Sequence, residues 1–258
     1  MKIISTYLII SFVFFPRPIV AEEGQNLTRL RIAISEAPFV LAVVKDTSKG
    51  RFLDCTATLI HKQWALSSCN CLTNIEDKFI AYGISDVGQF SKKRILQIEQ
   101  VIYHPGYHSY ININNIAIIK FKTPVQFTDK LQKIDLEGEP WPEDERQYSR
   151  NCIGYGYGHG QIKLSSRNVI AKHGTGGCYC YPYIRNICLE LVSGDSLCYG
   201  DFGGPLVCDG KLVGIADTFV NLDVCSGIDK TPICGGNNIL NIYTFTCPYL
   251  QWIKRYIV

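Results

Sequence analysis

"GDFGGPLVC" occupies residues 200–208 and runs on through Asp209-Gly210 into "KLVGI" at 211–215. It contains two β-prone apolar runs, Leu206–Cys208 and Lys211–Ala216, parted by turn residues. The same grammar extends upstream. Phe39–Val44, Thr56–Ile60, Trp64–Ser68, Phe79–Gly83, Ile95–His104 and Ile116–Phe121 are further strand candidates, with Gly, Pro, Asn and Asp in the gaps. Strands recurring without long helical periods between them predict an all-β sandwich or barrel arrangement. Only the tail differs: after Pro248, Leu250, Ile253 and Ile257 fall at three- and four-residue steps, which predicts a C-terminal helix. The stretch Glu137–Arg146 (EGEPWPEDER) is acidic and broken by prolines, and is the best linker candidate.

The chain has 258 residues, 47% apolar and 19% charged, with a formal net charge of +3. That is the balance of a packed globular protein, and it argues against a nucleic-acid partner. The short basic runs Lys92–Arg94 and Lys254–Arg255 read as solvated faces. Lys2 precedes an apolar run, Ile3–Phe15, too short to span a bilayer, and Ala21 suits cleavage before Glu22. Residues 1–21 therefore read as a signal peptide and 22–31 as a short propeptide. With no later membrane segment, the expected product is a secreted, extracellular protein. Twelve cysteines fit an oxidising compartment, where they pair. A zinc site drawn from Cys69-x-Cys71 or Cys178-x-Cys180 with His104 and His108 is the other reading, but the spacings match no common zinc module. No metal and no cofactor is expected. Asn26 opens a glycosylation sequon, Asn26-Leu27-Thr28.

Several strings, in the same order along the chain, resemble those of the trypsin/chymotrypsin-like serine proteases. They are "CTATLIHKQWALSSCNC" (55–71), "HPGY" (104–107), "NNIAIIKFKTPVQFTD" (114–129), "CIGYGYG" (152–158), "CYGDFGGPLVCDGKLVGI" (198–215) and "IYTFTCPYLQWIKRYI" (242–257). The resemblance implies two packed six-stranded antiparallel barrels, the first roughly Ile32–Leu136, inside a protease domain spanning 32–258. It also implies the disulfides Cys55–Cys71 and Cys152–Cys208, a bond from Cys188 to Cys178 or Cys180, and one from Cys198 to Cys225 or Cys234. Cys69, Cys247 and the cysteines left over from those two choices stay unassigned.

The family's mechanism uses a hydroxyl to attack, an imidazole to take its proton and a carboxylate to orient the imidazole. At the matching positions this chain has Phe202, Asn70 and Asn115. A phenyl ring has no nucleophilic atom, and an amide neither takes a proton near neutral pH nor carries charge. The backbone of Gly200 and Phe202 matches the family's oxyanion hole. Ser196 stands where trypsin-type members select Lys and Arg by a carboxylate, with Asp195 one place away. Phe219 and Asn241 stand where small pocket-wall glycines are expected, and with Phe202 should fill the pocket. Arg31–Ile32 is the candidate activation bond, and Asp201 the candidate partner of the new amino terminus.

These replacements lead to the expectation that the protein is not an enzyme. It should be an inactivated serine protease homologue, similar to the inactivated paralogues of parasitic mites, that binds extracellular proteins such as host complement or protease-cascade components. No nucleic acid and no membrane enters that expectation. The alternative is unorthodox hydrolase activity, with Cys69 and His104 or His108 as a thiolate–imidazole pair. The insertion Val220–Gly236 is the loop expected to make partner contacts.

Overall fold

The computed structural model describes residues 29–142, 148–158, 162–174, 176–181 and 185–257. The signal-peptide reading and Asn26 lie outside these residues.

Strands β1 (Leu30–Arg31), β2 (Val40–Thr47), β3 (Gly50–His61), β4 (Trp64–Ser67), β5 (Lys78–Ala81), β6 (Ile95–Leu96), β7 (Ile98–Tyr103) and β8 (Ala117–Phe121) precede the acidic stretch. After it come β9 (Ser149–Gly156), β10 (Ser165–His173), β11 (Asn186–Leu189), β12 (Pro205–Cys208), β13 (Lys211–Asn221), β14 (Ile239–Phe245) and the short helix α1 (Leu250–Lys254). The second sheet closes into a ring in the order β10-β11-β14-β13-β12-β9, because β9 also pairs with β10. The first runs β6-β5-β2-β3-β4-β8-β7, and its two end strands are separated only by Gln97, so it is a nearly closed barrel. The expected strand at Ile95–His104 is thus two strands that turn the barrel's corner.

Alternation hides β10 from a reading by apolar runs. In β10 the residues Ser165, Arg167, Val169, Ala171 and His173 face inward, and three of those five are polar. The strand is held by eight register pairs with β9 rather than by an apolar pattern. In β2, by contrast, Val40–Val44 is buried throughout and forms an unbroken apolar run in the sequence.

Leu41, Leu59, Ile80, Ile119 and Phe121 fill the first barrel. Val169, Ile187, Leu206, Val213, Tyr243 and Phe245 fill the second. Each buried aliphatic or aromatic side chain contributes about 1.5–3 kcal/mol. A third cluster joins the barrels, packing Ile60, Leu66, Ile118, Leu212 and Ile215 under Trp252 and Ile253 of α1.

Five disulfides form: Cys55–Cys71, Cys152–Cys208, Cys178–Cys188, Cys180–Cys225 and Cys198–Cys234. They resolve both open choices, and Cys180 pairs with Cys225, leaving Cys69 and Cys247 as thiols. Four of the five lie in the second barrel and its loops. Two of those four brace the 220–236 insertion, whose turn is also tied by Lys230 and Asn238 to Asp223. Five disulfides are the mark of an extracellular, oxidising compartment. The described part of the linker is not a free tether. Glu137 is buried against Arg150 and Lys211, and Trp141 packs into the second core, because a tryptophan between two prolines still has a large apolar face to hide.

Candidate functional site

The 198–204 segment turns tightly between the barrels. Thr56 of β3 clamps it, its backbone N–H donating to Phe202 O (2.8 Å) and its hydroxyl to Gly200 O (2.6 Å). From the other side Gly203 N donates to Ala216 O (2.8 Å). Gly203 has φ +78°, and a methyl group there would run into Ser67 Oγ and Thr56 O, so the close approach of the barrels requires glycine. Phe202 packs on the cores of both barrels. Its ring stacks on Phe219, with centroids 5.9 Å apart and planes 23° apart. Tyr199 sets its edge against both rings and is 79% exposed.

Asn70 follows the buried Cys69 on a short 3₁₀ turn, and its backbone N–H donates to Asn115 Oδ1 (3.3 Å). Asn115 is fully buried, and its Nδ2 donates to Asp217 Oδ1 (2.6 Å). Asn112 Nδ2 donates to the same oxygen (2.6 Å), and the Thr244 hydroxyl to Asp217 Oδ2 (3.2 Å). A carboxylate therefore does stand in the site, on β13 instead of at position 115. Burial pushes it up to about 6, against the pull of the three donors. Only its place on β13, beside Asn115 in space, reveals this role; nothing local in "DTF" signals it.

Of the pocket positions, Ser196, Phe219 and Asn241 are all buried. Asn241 Oδ1 accepts from Leu197 N (2.6 Å), and Ser196 Oγ from Gly235 N (2.7 Å). Asp195, one place from Ser196, is not left to meet a cationic substrate: both its oxygens lie 3.2 Å from Arg167 Nη1. Arg167 projects inward from β10, is 3% exposed, and also donates to the Tyr243 hydroxyl (3.2 Å).

Asp201 is matched by a residue that the sequence reading did not single out. Arg29 grips it with two nitrogens, Nη2 to Oδ2 at 2.6 Å and Nη1 to Oδ1 at 3.1 Å. Gly158 N and Cys198 N also donate to the carboxylate. Burial would raise its pKa, but Arg29, with Arg167 and the Gly158 amide, more than offsets that and holds it below the ordinary value. In this uncut chain Ile32 N donates to Leu164 O (3.1 Å), not to Asp201.

Among the described residues, Cys69 does not meet an imidazole. Its thiol donates to Ile116 O (3.1 Å) inside the first core, and burial pushes it up to about 12. His104 meets Tyr249 and Trp252 edge to face, and burial followed by Arg185 lowers its pKa. His108 bridges to Ile113 in the next turn. Cys71, Cys178 and Cys180 are consumed in disulfides, so neither zinc set is available. Beside the site lies a groove of ≈ 680 Å³ lined by Asn70, Tyr110, Asn112, Tyr181, Asp217 and Val220.

Two barrels with a cleft segment of this kind define the class as a chymotrypsin-like serine protease fold. The trypsin family matches residues 32–253, and the chain belongs to it. It is 28% identical to trypsin II-P29 of Gallus gallus over 79% of each chain. It is 27% identical to human kallikrein-12, covering 80% of this chain and 82% of the relative. It is 25% identical to vitamin K-dependent protein C of Mus musculus, covering 84% of this chain but only 48% of that protein, so it spans about half the relative's length.

The expectation that the chain is not an enzyme is thereby corrected. It rested on three side chains, while the whole-domain likeness runs to trypsins and a kallikrein and shows no loss of activity. Physically, Asn70, Asn115 and Phe202 speak only to the one chemical route that uses those positions.

Proposed function

We propose that this member of the trypsin family is a secreted protein whose task is to bind an extracellular protein partner across the groove beside Asn70 and Asp217. The observation that carries this is the groove's rim. Tyr110 is 92% exposed and Tyr181 37%, and the neighbouring Cys180 is tied to the 220–236 insertion through Cys225. Rigid aromatic side chains beside a braced loop supply contact area at low entropic cost. The neighbouring pocket positions add support, since Phe202, Phe219 and Asn241 put side-chain bulk where a substrate side chain would enter. The partner class, complement or protease-cascade components of a host, rests on the likeness to the mite paralogues described above.

The test is a binding series with purified complement and cascade proteins, wild type beside Tyr110→Ala and Tyr181→Ala. One of these partners should bind, and each variant should weaken it by about tenfold or more. Peptide turnover is measured on the same samples. Turnover that survives purification and disappears in Cys69→Ser would replace binding with hydrolysis as the function.

A further inference from the structure

The segment before the activation bond does more than end a propeptide. β1 pairs with Ser165 and Ser166 of β10, the stretch of that strand that β11 leaves uncovered. This short pairing aims Arg29 inward, where its side chain is 15% exposed and that of Asp201 only 3%. Besides the two bonds to Asp201, the guanidinium donates to Ser165 Oγ (2.9 Å) and Ser196 O (3.2 Å). One arginine thus ties β10, the pocket-base segment and the turn before Phe202 together. The space is built closely around this carboxylate, since a methyl group on Gly156 or Gly158 would collide with Asp201.

Charge balance makes the same point. Among the interactions described, Arg29 and Arg167 both act on Asp201, and Arg167 also on Asp195, so the two carboxylates are answered by two guanidinium groups. Cutting after Arg31 places Arg29 on the released side and leaves one cation for buried Asp201 and half-buried Asp195 together, unless the Ile32 amine takes its place.

We infer that Arg29 is the built-in counter-ion of Asp201, so that the uncut chain already holds the 196–204 segment in its final conformation without cleavage at Arg31–Ile32. Arg29 is then a positioning residue: it sets the turn that carries Phe202 and the floor of the pocket by neutralising a buried charge. The inference concerns the chain's own conformation and does not depend on the binding role proposed above.

Amide hydrogen exchange on the intact, uncut chain tests it. The amides of Gly158, Cys198, Asp201 and Gly204, all hydrogen-bonded around this carboxylate, are followed in wild type, Arg29→Gln and Arg29→Lys. Protection in the uncut wild type, a rise in exchange of about tenfold or more in Arg29→Gln, and partial recovery in Arg29→Lys are the expected results. Unchanged protection in Arg29→Gln, or identical behaviour of the glutamine and lysine variants, overturns the inference, because charge would then not be what holds the turn. Should Arg29→Gln fail to fold, the wild type is compared before and after cleavage at Arg31–Ile32. Cleavage that adds no protection supports the inference. Protection that first appears on cleavage overturns it.

Discussion

Asp201 and Asp217 flank the Phe202 turn, are equally hidden from solvent, and respond to burial in opposite ways. Asp201 meets a guanidinium in bidentate contact and a second one nearby, so its proton is held less tightly than in an unfolded chain. Asp217 meets two amides and a hydroxyl but no cation among the described residues, so burial wins and its pKa climbs to about 6. Burial alone does not set the charge of a carboxyl group; the formal charge of its partners does. The pH windows follow. The stabilisation from Asp201 is present above the unfolded carboxyl pKa and is lost as pH falls through its lower folded value. Asp217 stabilises below the unfolded pKa, and that contribution is lost as pH rises toward about 6.

The largest expected effect comes from breaking the compensated side. Asp201→Ala leaves buried Arg167 and half-buried Arg29 with one carboxylate and should lower the unfolding free energy by about 3–5 kcal/mol, read from urea denaturation. A loss below about 1 kcal/mol would mean that the ion pair is open to water and worth what a surface pair is worth. Next is the turn between the two carboxylates. Gly203→Ala places a methyl group against Ser67 and Thr56 at a left-handed φ, and should cost about 2–4 kcal/mol. Thermal melting that matches wild type would show that the barrels approach each other less closely than described.

The uncompensated side should behave in the reverse sense. Asp217→Asn removes a group that resists ionising, so at pH 8 the variant should gain up to roughly 2–3 kcal/mol over wild type and gain nothing at pH 4. Stability curves that run parallel from pH 4 to pH 8 would remove the contrast between the two carboxylates. The smallest effect concerns the two thiols among the described residues. Alkylation of the native protein at pH 8 should modify half-buried Cys247, while Cys69, buried and pushed up to about 12, should react only on unfolding. Mass mapping that finds Cys69 labelled in the native state would reopen the thiolate route.

Much of the frame was legible in the order of residues. The β2, β4, β8 and β12 strands announce themselves as dense apolar runs between turn residues, and the spacing of Cys55, Cys71, Cys152 and Cys208 carried over from the family intact. β10 escapes a reading by apolar runs because its inward positions include Ser165, Arg167 and His173, which look like surface until their partners are known, and β11 because only the three residues Ile187–Leu189 are buried in it. At the site, Asn70, Asn115 and Phe202 could be picked out by alignment with the family's strings. Arg29, Arg167 and Asn112 could not, since each acts on a residue tens of positions away or more.

By itself the sequence determined the family, the two-barrel architecture and the chemical identity of the three side chains at the family's working positions. Strand period and turn residues gave the all-β class, and the likeness of the motif strings to the family implied the two barrels; each is read over a few neighbouring residues. The tertiary structure decided which charge meets which: that Arg29 answers Asp201, that Arg167 takes Asp195 away from the pocket, and that the site's carboxylate sits at Asp217. Electrostatic energy in a desolvated interior depends on distance through space, and the chain brings these groups together only once both barrels have closed.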